Sequence, residues 1–251
     1  MKTLRVVLIG SLLNLACAAT YGQSVFNVTT AAGEFNAGTL NQGWWSDFGG
    51  NNTYNDNYCI SLGWTAATYP YQQGFVTRGF FTFDLSAVNG PVTSATLLLT
   101  RGSCTSPNPT ETISFWDVQT PPAALNDNIG PSSSVVGDLG SGINYGSFQV
   151  SMVGSPNETL AFPLNPNAIA DLNEDLGAYF SIGGSMDGQP APGVYRSIFG
   201  VSQGIPVSLQ ITVAPEPSVG VLAAVLGVCT ALFGTKKRGG WLTKGKSELG
   251  L

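Results

Sequence analysis

Histidine does not occur anywhere in the 251 residues. Its absence excludes Ser-His-Asp and Cys-His catalysis and His-ligated zinc or iron. It also removes the side chain that most often serves as a general base near neutral pH. The sequence further lacks a recognisable nucleophile motif. We therefore expect a non-catalytic protein with no catalytic residues, no metal site and no cofactor.

Charge is scarce, and lysine is missing from the central part of the chain. Charged residues make up 10% of the sequence, against about 25% in an ordinary soluble protein. Residues 24–214 hold thirteen acids and three arginines, so this body carries 3 − 13 = −10. Because phosphate binding needs clustered Lys or Arg, we expect no nucleic-acid partner.

The N-terminus has the pattern of a secretory signal peptide. Lys2 and Arg5 precede an apolar run over residues 6–15, and small residues follow at 16–19. A basic start, a short apolar stretch and small residues indicate export and cleavage by signal peptidase, here over residues 1–22. Two alternatives stay open, namely acylation at Cys17 and an uncleaved helix, which is short for a ~30 Å hydrocarbon core.

The C-terminus combines three features in a fixed order. The motif Pro215-Glu216-Pro217 is followed by an apolar run over residues 219–233 and then by the basic cluster Lys236-Lys237-Arg238. The run is shorter than the ~20 residues of a comfortable membrane span, and snorkelling of the lysines could extend it. The positive-inside rule keeps the basic cluster cytoplasmic and leaves the body outside.

This tail resembles the PEP-CTERM sorting signal of Gram-negative bacteria that make exopolysaccharide. The resemblance covers Pro215 to Arg238, within a sorting signal that we predict over residues 214–238, and implies that an exosortase recognises the motif and removes the tail. The protein would be anchored transiently in the inner membrane and would finally reach the cell surface or extracellular matrix, as in a biofilm. Residues 239–251 extend beyond the family pattern, and an ordinary C-terminal anchor stays open as an alternative.

Alternation of apolar and polar residues predicts β-strands in the body. Phe81, Phe83 and Leu85 fall on one face of a strand, and residues 92–100 and 207–213 alternate in the same way. Period two indicates a strand with one buried face. Short strands separated by Gly and Pro turns predict an all-β fold, a jelly-roll-like β-sandwich spanning residues 23–213.

One short helix is predicted within this sandwich. Asn165 is a suitable N-cap, Pro166 suits the first helical position, and Gly177 suits the residue after the end. Ile169 and Leu172 fall on one stripe between them, and the acids of this segment would face solvent.

Two blocks of the body resemble the ectodomains of PEP-CTERM proteins. The first is residues 78–100, RGFFTFDLSAVNGPVTSATLLLT, and the second is residues 164–184, LNPNAIADLNEDLGAYFSIGG. Together they cover under a quarter of the chain. The resemblance implies a shared β-sandwich of the FDLS type and implies little about a ligand.

Two of the four cysteines belong to the body. Cys17 lies in the signal peptide and Cys229 in the apolar run of the tail, which leaves Cys59 and Cys104. An exported domain meets an oxidising compartment, so we predict a disulfide between them. Closing this loop would stabilise the fold by roughly 4 kcal/mol. Two separate buried thiols are the alternative.

Aromatic residues concentrate in the first part of the body. Trp44, Trp45 and Trp64 lie among tyrosines and asparagines, and rings with amides complement the C–H faces and hydroxyls of sugars. We therefore treat the three tryptophans as candidate contacts for an exopolysaccharide. The alternative is that they fill the core, since large aromatic residues dominate protein cores.

Three functions remain at this point. The first is a non-catalytic surface or matrix protein that binds polysaccharide, and the second is a purely structural matrix or envelope component. The third is a glycoside hydrolase with two carboxylates, for which Asp84 and Asp117 are candidates. A local hydrogen-bonding role, or pairing with an arginine, competes with this last assignment.

Overall fold

Antiparallel β-pairing organises the body of the chain in the computed structural model. The described residues are 23–32, 35, 40–51, 57–64, 73–127, 132–200 and 204–215. The predicted signal peptide and nearly all of the predicted sorting tail lie outside them. Residues 23–214 form a single unit, and the described residues within it define an all-β fold with few helices.

The strands contribute to two antiparallel sheets. In chain order they are β1 (Ser24–Thr29), β2 (Gln42–Ser46), β3 (Gly50–Asn51), β4 (Ile60–Trp64), β5 (Gly74–Asp84), β6 (Val92–Thr100), β7 (Thr110–Trp116), β8 (Asn144–Ser151), β9 (Thr159–Pro163), β10 (Tyr179–Met186), β11 (Arg196–Ile198) and β12 (Ser208–Val213). The smaller sheet has the order β1-β12-β6-β9, and the larger has the order β11-β4-β5-β10-β7-β8, with β2 attached at β5 and β3 paired to β2.

The smaller sheet confirms the strand predictions made from period two. In β12 and β6 the alternate apolar residues are buried in the core. Leu209 pairs with Leu97 and Ile211 with Ala95 across the two strands. Burial of one such side chain stabilises by about 1.5–3 kcal/mol, so this face fixes the register of the sheet.

Strand β5 is the centre of the larger sheet because both of its edges are paired. Thr77 is in register with Ser46 of β2 and with Ser61 of β4. Gly79 is in register with Trp44 of β2 and with Gly184 of β10. A strand residue has one neighbour on each edge. Strand β2 therefore occupies one edge of β5, and the other edge is shared by β10 and β4, which pair with successive parts of it.

Aromatic rings join the two sheets in the core. Phe162 of the smaller sheet lies 5.2 Å between ring centroids from Phe115 and equally far from Phe148, both in the larger sheet. Tyr58 and Phe81 make another edge-on pair, also at 5.2 Å. Edge-to-face pairs contribute about 0.5–1.5 kcal/mol beyond their buried area. The core therefore lies between the sheets, as the sandwich prediction requires.

Two further α-helices cover the outer face of the larger sheet, so the prediction of a single helix is wrong. They are α1 (Pro122–Asn126) and α2 (Ser132–Asp138). A second apolar cluster lies beneath them and consists of Trp45, Phe80, Leu125, Val135, Val136 and Leu139. A Cβ on Gly183 of β10 would approach the Leu139 carbonyl oxygen to 2.6 Å, so glycine is required there.

The predicted helix is confirmed as α3 (Pro166–Glu174). The Asn165 side chain accepts hydrogen bonds from the backbone N–H groups of Asn167 and Ala168, so it caps the helix as expected. Gly177 has φ +83°, which L side chains rarely adopt. Leu172 is fully buried against the core.

Each of the three arginines of the body holds parts of the fold together. Arg78 donates to the carbonyl oxygens of Val136 and Gly137, which fixes α2 on β5. Arg101 donates to Glu158 Oε2 at 2.9 Å and to the Ser151 carbonyl oxygen at 2.7 Å. The third, Arg196, pairs with a buried glutamate.

Glu111 and Arg196 form a buried ion pair at one end of the larger sheet. Arg196 donates from two nitrogens to the carboxylate of Glu111, and Ser106 and Asn108 also donate to it. Burial acts to raise the pKa of Glu111, but these hydrogen bonds outweigh it and lower the pKa below 4.5. The pair therefore stabilises the fold above that pH and weakens as the pH falls through the lowered pKa.

The predicted disulfide between Cys59 and Cys104 is wrong, because both thiols are free. Strand β11 separates them, since Ser197 pairs with Ser61 on one edge and with Thr105 on the other. Two strand spacings are roughly 9.6 Å, beyond the ~7 Å limit between bridged Cα atoms. The Cys59 thiol lies 3.6 Å from the Ser197 hydroxyl, on the face opposite Ile198, whereas Cys104 packs against the core.

Replacing Asn165 with Ala should destabilise the protein by about 1 kcal/mol, because two backbone N–H groups lose their cap. The variant also loses the 2.8 Å hydrogen bond from Asn165 Nδ2 to the Asn144 carbonyl oxygen. Urea denaturation of the purified protein measures the change. Asn167→Ala is the matched control, since its side chain makes only a 3.3 Å bond to the same carbonyl. An equal loss in both variants would contradict the capping role.

Candidate functional site

An acidic cleft of about 400 Å³ opens at one end of the sandwich. Its walls come from the segment after β7, the starts of β8 and β10, and the C-terminal half of α3. Four carboxylates line it: Asp117, Asp171, Glu174 and Asp175. None of the described residues that line the cleft is Lys or Arg. Sequence reasoning placed the acids of α3 in solvent and did not foresee that Asp117 would face them.

The position of α3 sets one wall of the cleft. Asp171, Glu174 and Asp175 are spaced three and four residues apart, so they share one face of the helix. Asn173 holds the helix in place, because its side chain accepts from the Val92 N–H at 2.8 Å and donates to the Val92 carbonyl oxygen at 3.1 Å. This contact fixes the C-terminal half of α3 at the start of β6, and the carboxylates line the cleft from another face of the helix.

Asp117 forms the opposite wall and is held by its neighbours. Its Oδ1 accepts from the Ile143 N–H at 2.6 Å, and its Oδ2 accepts from Gln119 Nε2 at 3.0 Å. Gly142 has φ +97°, and a Cβ there would lie 2.2 Å from Asp117 Oδ1. A glycine at 142 is therefore needed for the carboxylate to occupy this position.

Tyr145 connects the floor of the cleft to α3. Its hydroxyl donates to Asp171 Oδ2 at 2.7 Å, and its ring stacks on Phe180 at 5.7 Å between centroids. Burial, followed by the hydrogen bond and charge of Asp171, raises the pKa of Tyr145 far above 10. The phenol therefore stays protonated and acts as a hydrogen-bond donor at every physiological pH.

Asp175 is the carboxylate in the least favourable surroundings. Burial raises its pKa above 3.8, and the negative charges of Asp171 and Glu174 raise it further. The last turn of α3 contains no basic residue, so the partial negative charge of the helix C-terminus is uncompensated there. The cleft thus concentrates hydrogen-bond acceptors and negative charge. Among the described residues, no group of His, Cys, Asp and Glu has a geometry suited to a metal ion.

The three candidate tryptophans do not form a common surface. Trp45 has no accessible surface, and its Nε1 donates to the Leu125 carbonyl oxygen at 3.3 Å, so it is a core residue beneath α1 rather than a sugar contact. Trp44 and Trp64 are partly exposed, but they lie in β2 and β4 on opposite edges of β5. Neither lines the cleft.

The carboxylates proposed from the sequence as a catalytic pair have separate local roles. Asp84 Oδ1 accepts from the Ser86 N–H at 2.8 Å and shapes the turn after β5. Asp84 does not line the cleft, whereas Asp117 does. Neither forms an ion pair with an arginine within the described residues.

The predicted sorting motif begins at Pro215, two residues after the end of the last strand. The Ala214 N–H donates to the Pro91 carbonyl oxygen at 2.8 Å, and Pro215 follows. Glu216, Pro217 and the basic cluster Lys236, Lys237 and Arg238 lie outside the described residues. The apolar run over residues 219–233 does too.

No protein family and no curated protein matches this sequence. Over the part of the chain that the structure describes, no helix has both the length and the apolar character needed to cross a bilayer.

Replacing Asp175 with Asn should stabilise the protein at neutral pH, by less than about 1 kcal/mol because solvent screens a partly exposed charge. A carboxyl whose folded pKa is raised destabilises the fold as the pH rises through that pKa. The gain should therefore vanish at a pH below 3.8, where the carboxyl is protonated in both states. Urea unfolding at both pH values measures it, with Asp127→Asn as control. A gain that persists unchanged in acid would contradict the electrostatic origin.

Proposed function

We propose that this chain is an exported, non-catalytic protein of the cell surface or extracellular matrix that binds a polysaccharide. An exosortase would process its tail after transient anchoring in the inner membrane. The observation that carries the proposal is the order of the tail: Pro215-Glu216-Pro217, an apolar run, then Lys236-Lys237-Arg238. Chance seldom produces all three features in this order near a C-terminus.

The end of the folded body supports this assignment. Strand β12 ends at Val213, and Ala214 makes the last backbone hydrogen bond before the motif. The body is thus complete without the tail, so removal of residues beyond the motif takes no strand from either sheet. We assign the two sheets to the jelly-roll-like architecture that the sequence indicated.

The acidic cleft is the site that we assign to the polysaccharide. Tyr179 supplies an aromatic ring in its wall, and the carboxylates supply acceptors for sugar hydroxyl groups. A concave site with an aromatic ring and a few converging polar groups suits a small or linear ligand. Each arginine of the body already serves the fold, and the body carries a net charge of −10. A neutral or amine-bearing glycan therefore fits better than an acidic one.

A second candidate function is glycoside hydrolysis, and one observation favours it. Asp117 and Asp175 belong to different walls of one cleft, and the pKa of Asp175 is shifted upwards, which is the direction that a catalytic acid needs. Such an enzyme needs its two carboxyl groups to flank the scissile bond. We rank this below binding because the other acids crowd the same cleft and no basic side chain offsets them.

The intact mass of the protein recovered from its host should correspond to loss of both the leader and the tail. We expect a chain that begins near residue 23 and ends within or near the Pro-Glu-Pro motif. Glu216→Ala should retain the tail mass and remain with the membrane fraction, whereas Glu248→Ala, in the C-terminal extension, should be processed normally. Recovery of the wild-type chain with residues 219–233 still attached would contradict exosortase sorting and indicate a plain anchor.

Affinity electrophoresis on a panel of neutral and amino-sugar polysaccharides should separate the binding hypotheses. Glu174→Ala, at the exposed end of α3, should weaken retardation about tenfold, as loss of one charged hydrogen bond predicts. Trp64→Ala should bind as the wild type does. A loss confined to Trp64→Ala would favour an aromatic platform instead.

The remaining outcomes of that experiment decide between the other functions. No retardation of the wild-type protein by any polymer would leave a purely structural component. New reducing ends released by the wild-type protein and not by Asp175→Asn would establish the hydrolase.

A further inference from the structure

The two chain ends of the body lie side by side. Strands β1 and β12 are antiparallel neighbours, and Ser24 is in register with Val213. Pro91, in the turn between β5 and β6, holds the far side of this corner through the 2.8 Å bond from the Ala214 N–H. The first residue of β1 and the last residue of β12 therefore leave the fold from the same corner of the smaller sheet.

That corner belongs to the same end of the sandwich as the acidic cleft. Val213 pairs with Val92, the first residue of β6, and Asn173 of α3 bonds to both backbone groups of Val92. We call this end the terminal end; it also carries the turn over residues 85–91. The opposite end carries the loop over residues 152–158 and the ion pair of Arg101 with Glu158. At ~3.4 Å per residue, β6 separates the two ends by about 27 Å.

Both chain termini of the body are connected to apolar runs by short segments. Residues 214–218 separate β12 from the apolar run at 219–233, and residues 16–23 separate the apolar run at 6–15 from β1. Five residues reach at most about 18 Å when fully extended. This reach is shorter than the sandwich. Unless the tail bends back over the body, a tail inserted in a bilayer therefore keeps this end of the body nearer to the membrane surface than the opposite end.

We propose that the terminal end is the membrane-facing surface of the anchored protein and that its partner is the phospholipid headgroup layer. The inference rests on the proposed anchoring function. The short connection holds this end near the bilayer. Its carboxylates, including Asp171, Glu174 and Asp175, are repelled by anionic headgroups within a Debye length of ~8 Å, which keeps the end from inserting. The body therefore faces the bilayer through this end without inserting into it.

The lysine-free body provides a direct test, because a lysine introduced there is its only side-chain amine. Ala87→Lys places the amine in the exposed turn at the terminal end, and Ser155→Lys places it in the exposed loop at the opposite end. Each full-length variant is reconstituted in vesicles of phosphatidylethanolamine and phosphatidylglycerol. A short amine-to-amine cross-linker is added, and mass spectrometry measures lipid attached to the peptide that contains the new lysine.

We expect several-fold more cross-linked lipid in Ala87→Lys than in Ser155→Lys. The difference should disappear when each variant is truncated after Ser218. Equal labelling of the two variants, with the full-length protein floating with the vesicles, overturns the proposed orientation and leaves the anchor intact. Failure of the full-length protein to float with the vesicles overturns the anchor itself, and the orientation with it.

Discussion

The pairing of strand β5 on both edges is the constraint on which the rest of the body depends. One edge holds β2, and the other holds β10 and then β4, so three strands pair directly with this one. Both faces are buried as well, with Phe80 beneath the helices and Phe81 and Phe83 in the core between the sheets. Arg78 of the same strand fixes α2. Within the larger sheet, β2, β4 and β10 therefore take their positions from β5 directly, and β3, β7 and β11 do so through one neighbour.

The sequence predicted those elements that bury a single face. Apolar residues recur with period two in β12 and with a helical period in α3, because solvent covers the other side of each element. Both predictions are confirmed. Strand β10 runs through two glycines to Met186, and these glycines lie against Leu139 on one face and Ile60 on the other. A strand covered on both faces loses its period of two, and α1 and α2 are too short to show a helical period.

The candidate site could be predicted only in part, for a similar reason. Asp171 and Asp175 are four residues apart and share one face once this segment is helical, so their proximity follows from sequence spacing. Asp117 joins them only because β7, β8 and β10 pair across long sequence separations. The disulfide prediction was wrong because it also depended on long-range strand pairing. The predicted compartment and the number of cysteines favoured a bond, but β11 lies between the two cysteines.

The adjacency of Ser24 and Val213 has a consequence for how this body tolerates rearrangement of its chain. A short flexible linker across the corner would join the ends without changing a strand, giving a backbone circle or a circular permutant. New ends could then be opened in the exposed loop at 152–158, which is the kind of site where permutation succeeds. By the same geometry the body could be inserted as a cassette into a surface loop of another protein.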